Sequence, residues 1–206
     1  MALVIPEKRI AHIVGRAIPK PANDQNTDDI MPARYLKEIT FKDMGKYVYA
    51  DERFMAGITN PLHPFNESKY NGANILLAGA NYGCGSSREH APQGLLKYGI
   101  KAIVAESFAE IFAGNCAAIG IVPVTMDRSN IELLVSETEQ NPKGEFVLDL
   151  VIKSLEFNRS AQGLGFDIPE GRRRAFLNGT WDSMAVLQQN QEQVELVRKN
   201  ISYLNR

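Results

Sequence analysis

Through the middle of the chain, short apolar runs alternate with stretches whose apolar residues recur at helical spacing. Asn74-Ile75-Leu76-Leu77-Ala78-Gly79-Ala80 is a continuous apolar run of the kind that forms a strand buried on both faces, and it stops at the glycine-rich Asn81-Tyr82-Gly83-Cys84-Gly85. A helix is expected directly afterwards, with Ser86 and Ser87 as N-caps, Ala91, Leu95, Leu96 and Tyr98 on one face, and Gly99 closing it. Ile100–Ala105 reads as the next strand, Glu106–Ala118 as a helix with Phe108, Ile111 and Phe112 inward, and Gly120–Val124 as another short strand. A helix over Ser129–Glu139, a turn at Asn141-Pro142-Lys143-Gly144 and a strand over Glu145–Ile152 complete the core. Strand, helix, strand, helix, strand predicts a layered α/β core with part of its sheet parallel, because parallel neighbours need such crossovers.

The flanks are less regular. Ile10–Ile18 reads as an early strand ended by Pro19, and Pro21 with Asn23-Asp24-Gln25-Asn26 makes a polar loop. Thr27–Pro32 is a turn leading into a short helix at Ala33–Ile39, while Thr40–Tyr70 has no clean period and reads as long and irregular. Pro169 to Arg206 is rich in Gln, Asn, Arg and Glu and predicts two helices, Glu170–Leu177 and Asp182–Tyr203. The expected division is a core domain over residues 1–160 and a helical extension over 161–206, packed on that domain or on a partner.

Composition narrows the function classes. With 206 residues, 44% of them hydrophobic, the chain can bury a real core. Lys and Arg number 23 against 24 for Asp and Glu, so a net charge of -1 offers no footprint for nucleic acid or an anionic membrane surface. The apolar opening Met1–Ile5 precedes Lys8 and Arg9, the reverse of a signal peptide, and no apolar run reaches the ~20 residues that span a bilayer. A soluble, cytoplasmic chain is expected. Cys84 and Cys116 are the only cysteines, with no CxxC spacing, so they suggest neither a disulfide framework nor a thiolate set for a cluster or structural zinc. Any metal must come from elsewhere.

The richest chemistry lies in Tyr82–Pro92, where a strand hands over to a helix. Two glycines permit a tight turn, and Ser86, Ser87 and Arg88 add hydroxyls and a fork-shaped cation suited to a carboxylate or phosphate. A nucleotide is not indicated, since Arg88 replaces the third glycine of a dinucleotide fingerprint and no Gly-Lys-Ser/Thr follows. The plainer reading makes the serines helix caps with Arg88 and Glu89 in solvent. By local chemistry alone Asp28 and Asp29 are turn or cap residues, Lys37 is solvated, Arg172-Arg173-Arg174 lie on a solvated or subunit-facing helix, His90 is a supporting partner behind the site or a satisfied helix histidine, and His12 and His63 have no ligand set.

Gly83–Pro92 resembles the signature of the swivelling domain of the aconitase superfamily. The likeness runs upstream through Asn26–Leu36 and downstream through Ala105–Phe112 and Gly114-Asn115, covering about residues 8–180, and is similar to free-standing small subunits of the isopropylmalate branch. Cys84 agrees with that branch and departs from aconitases proper, where an acidic residue is expected. The resemblance implies an α/β fold of the swivelling β/β/α type, with a helical C-terminal extension. It implies a hydro-lyase small subunit that binds no cofactor itself and works with a large subunit carrying a 4Fe-4S cluster. The substrate would be a small dicarboxylate whose hydroxyl moves between neighbouring carbons by dehydration and rehydration. By the same resemblance Ser86 is the catalytic base, helped by helix-terminal amides and Arg88, and Asp28 orients a group in the active site. Ser87 and Arg88 bind a substrate carboxylate, and Lys37, in the specificity loop Tyr35–Tyr47, contacts the variable part of the substrate. Sister hydratases share the motif. A non-catalytic anion-binding module is the rival class, against which Ser86 with Arg88 speaks.

Overall fold

The computed structural model describes residues 8–37, 40–158, 163–183, 186–187 and 191–201. In it the first apolar segment is cut in two. β1 (His12–Gly15) and β2 (Ala17–Lys20) are separated by Arg16 alone and join different sheets, where one strand over Ile10–Ile18 was expected. Pro19 does not end the strand; it lies inside β2, paired with Leu77. β2 is the edge of its sheet, and an edge tolerates a residue with no N–H to donate.

After β2 comes α1 (Thr27–Ile30), then a 3-10 turn over Ala33–Lys37 in place of the expected helix, whose last positions, Glu38 and Ile39, fall outside the described residues. The irregular stretch resolves into further 3-10 turns, α2 (Ala50–Arg53) and a hairpin of β3 (Phe54–Met55) with β4 (Ile58–Thr59).

The predicted alternation follows as β5 (Ile75–Ala78), α3 (His90–Tyr98), β6 (Ala102–Ala105), α4 (Glu110–Ala118) and β7 (Val122–Thr125). With β2 these strands form one parallel sheet, ordered β2-β5-β6-β7. Its central strands, β5 and β6, read as unbroken apolar runs because both faces are buried. Leu76, Ala78, Ile103 and Ala105 point into one core with Ile30, Leu95 and Phe112, while Ile75, Leu77, Ala102 and Val104 point into a second. Burying each such Leu, Ile or Val is worth roughly 1.5–3 kcal/mol. α4 starts at Glu110 rather than Glu106, and this sets its phase: Phe112, Ala113 and Cys116 face the core, and Ile111, expected inward, is 61% exposed.

α5 (Arg128–Gln140) puts Ile131 and Leu134 into the second core. β8 (Phe146–Asp149), β9 (Ser154–Phe157) and β10 (Leu164–Gly165) join β1 in an antiparallel sheet, whose Ile13, Phe146, Leu148 and Leu155 fill the same core. α6 (Glu170–Asn178) adds buried Phe176, whose carbonyl accepts from Ile10 N–H at 3.0 Å. α7 (Gln191–Asn200) lies inside the second predicted C-terminal helix, where Ser183, Val186 and Leu187 are also helical; the expected end at Tyr203, like Met1–Ile5, lies outside the described residues. The layers are therefore α3 and α4, the parallel sheet, then the antiparallel sheet with α5 and α6. This is the β/β/α arrangement that the resemblance implied.

Candidate functional site

The loops that leave the carboxyl ends of β2, β5 and β6 are bonded to one another through their main chains. Behind β2, Asn26 caps α1: its side chain accepts from Asp28 and Asp29 N–H at 2.8 and 2.9 Å, and the Asp29 carboxylate accepts Asn26 N–H at 2.9 Å. Asp29 is thus a cap residue, while the exposed carboxylate of Asp28 makes no ion pair among the described residues.

Behind β5, Tyr82 N–H donates to Ser107 O at 3.0 Å and Gly83 N–H to Gln25 O at 2.8 Å. Thr27 N–H donates to Cys84 O at 2.8 Å, and Ser86 N–H to the Thr27 hydroxyl at 2.9 Å. Gly83 and Gly85, at φ of +78° and +101°, turn the chain between these bonds. A Cβ at Gly83 would lie 2.1 Å from the Phe112 ring.

This lacing explains why Ser86 and Ser87 are not helix caps. The Ser86 backbone is held by Thr27, and the chain needs Ser87–Glu89 to cross to α3, which begins at His90 with no side-chain cap. Asn115 holds the crossing, its amide donating to Ser87 O at 2.9 Å. No amide of α3 donates to the Ser86 hydroxyl among the described residues, although His90 and Ala91 at the start of that helix line the same depression. The amide that reaches its hydroxyl is the loop N–H of Arg88, at a long 3.4 Å.

Ser86, Arg88 and Asp28 converge with Thr27, Leu36 and His90 on one depression of about 10 Å³. That is room for roughly one water. Ser87 and Lys37 are exposed and do not line it; from the Tyr35–Lys37 turn it is Leu36 that does. The Arg88 guanidinium makes no ion pair among the described residues and is free to meet an anion. His90 Nδ1 is buried without a hydrogen-bond partner among them, its ring edge-on to Phe41 at 5.4 Å. The sequence reading missed Asn26, Thr27 and Asn115 as site-builders. Asn26-x-x-Asp29 had capping-box spacing and was readable; the Thr27–Ser86 and Asn115–Ser87 bonds cross long stretches of sequence and left no local signal.

Beside this frame lies a polar cluster. Lys20 Nζ meets Glu52 at 2.7 Å, and His63 Nε2 stands 3.5 Å from the same carboxylate, an ion-pair distance rather than a good hydrogen bond. His63, opposed by burial and helped by Lys20, holds the Glu52 carboxyl down at about 2. A carboxyl depressed on folding stabilises the fold above its unfolded value of 4.5, and that contribution is lost as pH falls through the folded value of about 2. Urea unfolding between those pH values should show Glu52→Gln losing less stability on acidification than the parent. Parallel curves would remove Glu52 from the acid response.

The other expected chemistry resolves structurally. Arg172 pairs with Glu110 at 2.9 Å, and Arg173 and Arg174 pair with Glu170 at 3.2 and 2.9 Å, so the arginine triplet is not an open basic patch. Cys116 is buried, which pushes its thiol pKa up, and Cys84 Sγ lies 3.5 Å from Asp24 O. Among the described residues no group of three His, Cys, Asp or Glu could hold a metal, and no helix is long and apolar enough to cross a membrane.

Residues 7–129 match the family described as the aconitase C-terminal domain. The 3-isopropylmalate dehydratase small subunit of Synechocystis sp. is 39% identical over 198 residues, covering 96% of each chain. That of Thermus thermophilus is 40% identical over 194 residues, covering 94% of this chain and 96% of its own. The crystal structure of 3-isopropylmalate dehydratase from Methanocaldococcus jannaschii superposes with a TM-score of 0.61 at 27% identity, over 88% of this chain and 99% of that one.

Proposed function

The chain belongs to the aconitase C-terminal domain family, among the 3-isopropylmalate dehydratase small subunits, and on that premise we propose that it serves the interconversion of 2- and 3-isopropylmalate in leucine biosynthesis. The observation that carries this reading is the half-built depression: Ser86, Arg88 and Asp28 face one point, yet about 10 Å³ is far too little for a branched dicarboxylate. A second surface must complete the site, and a large subunit is the partner that a small subunit requires.

In this reading Ser86 Oγ removes the C–H proton, with the Arg88 guanidinium beside the depression favouring the ionised oxygen electrostatically. Arg88 and Ser87 bind a substrate carboxylate, and Asp28, held at the first turn of α1, orients the group it meets. Leu36 offers an apolar wall to the isopropyl group, and the exposed Lys37 follows it on the same turn as the candidate contact to the variable part of the substrate. The residues of this chain do not suit an iron–sulfur cluster: one thiol is sealed in the helical-side core and the other turns to a backbone carbonyl. The 4Fe-4S cluster is assigned to the large subunit.

Anaerobic co-purification from the source cells tests the reading. The expected eluate holds an iron-containing larger chain and interconverts 2- and 3-isopropylmalate in preference to citraconate and homoaconitate. Preference for either of the latter would change the substrate and keep the reaction class. An eluate without an iron-containing partner would overturn the reading.

A further inference from the structure

Two tyrosines outside the depression tie its halves together, and we infer that the Tyr49–Tyr82 phenol pair positions the Ser86 loop against α1. The inference rests on the function proposed above. Tyr49 and Tyr82 are each 0% exposed, and their hydroxyls meet at 2.6 Å. Tyr82 is the root of the loop that carries Ser86: its N–H donates to Ser107 O and its carbonyl accepts from Ala109 N–H, both at 3.0 Å. Tyr49 follows the Tyr35–Tyr47 segment, and its N–H donates at 2.9 Å to the carbonyl of Ile30, two residues past Asp28 in α1. By way of the Tyr49 N–H bond to Ile30, this buried hydrogen bond adds a second tie, behind the Thr27 bonds, between the element bearing Asp28 and the loop bearing Ser86.

Three features separate this pair from ordinary core filling. Phenylalanine would occupy both places with nearly the same volume, and buried hydroxyls are costly unless paired, so the two oxygens set geometry more than they add packing. Tyr49 has φ of +53°, a left-handed conformation that an aromatic L-residue adopts at a cost of about 1–2 kcal/mol and keeps only when its surroundings hold it. Its surroundings do so: the ring packs on Phe65 at 4.9 Å, lies 5.3 Å from Lys20 Nζ, and ends on the Tyr82 hydroxyl. The Tyr82 ring is in turn edge-on to Phe112 at 5.4 Å, the same ring that closes over Gly83. Burial raises both phenol pKa values, so both hydroxyls stay protonated near neutral pH.

The test uses Tyr49→Phe, Tyr82→Phe and the double variant, each assembled with the iron–sulfur large subunit and each also studied alone by hydrogen exchange. A positioning role predicts that each single change lowers kcat about tenfold with KM within about twofold, and that the double is no worse than the singles. The double should be at least as heat-stable as the singles, because no unpaired hydroxyl remains. In the isolated chain the amides of Gly83 and Ser86 should exchange about tenfold faster in all three variants while those of β6 keep the parental rate. Activity that returns in the double together with its stability, or loop amides that exchange at the parental rate, would overturn the inference. Should the parent complex fail to isomerise isopropylmalate, the functional reading falls, and the exchange rates still decide this one.

Discussion

Ser86→Ala in the assembled complex is expected to lower kcat about a thousandfold, some 4 kcal/mol of barrier, and to leave KM within about threefold. A group that acts only as the proton leaves carbon shifts kcat and kcat/KM together, whereas a group that merely holds substrate shifts KM. Stability should barely change. Among the described residues the Ser86 hydroxyl has only the long 3.4 Å contact from Arg88 N–H, while the bond that anchors the residue runs from its backbone N–H to Thr27, which alanine keeps. Polar contacts this marginal are worth within about 0.5 kcal/mol, or about 2 °C in a chain of this size. Steady-state kinetics beside a thermal scan separates the cases. A variant with kcat within about threefold of the parent would take the base away from Ser86.

Gly83→Ala should be the most damaging small substitution in the loop, and for the opposite reason: it adds one methyl group at a site with no chemistry of its own. The backbone stands at φ of +78°, and the new Cβ would meet the Phe112 ring at 2.1 Å. The left-handed conformation costs about 1–2 kcal/mol for alanine, and forcing a methyl into a packed core about 1–3 kcal/mol more. A loss of about 2–5 kcal/mol, roughly 5–15 °C, follows for the thermal midpoint. The chain cannot relieve the clash by shifting the loop, because the neighbouring amides are committed to Gln25, Ser107 and Thr27. Replacing Phe112 by leucine in the same chain should recover part of the loss, leaving the backbone strain behind. A midpoint within about 2 °C of the parent would mean that the turn is not rigid.

The interior of the fold could be read from the sequence because β5 and β6 are buried on both faces and tolerate no polar interruption. The break at Arg16 could not: one uninterrupted β pattern serves two sheets, and nothing in residue type marks where a strand changes neighbours. β9 and β10 escaped for the converse reason, being short, half-polar, and stabilised by partners on β8 and β9 rather than by their own composition. At the site, Ser86, Arg88 and Asp28 were recognisable as a motif. Ser86 and Ser87 were misread as caps because local cap preference was weighed without the bonds from Gln25 and Thr27, which hold the backbone away from helix. Those bonds join residues some sixty positions apart, and pattern in a single sequence carries no record of them.

The lacing of the three loops combines main-chain bonds with side-chain stitches from Asn23, Asp24, Thr27 and Ser107, and Asn115 adds one from α4. Leu36 and Lys37, by contrast, sit on a 3-10 turn joined to that frame by packing rather than by the lacing itself. On the function proposed above, drift can therefore rewrite the wall offered to a substrate's side group without disturbing the loop that carries the proposed base. A scaffold divided in this way favours gene duplication followed by a change of diet: descendants keep the reaction and exchange the molecule it is performed on.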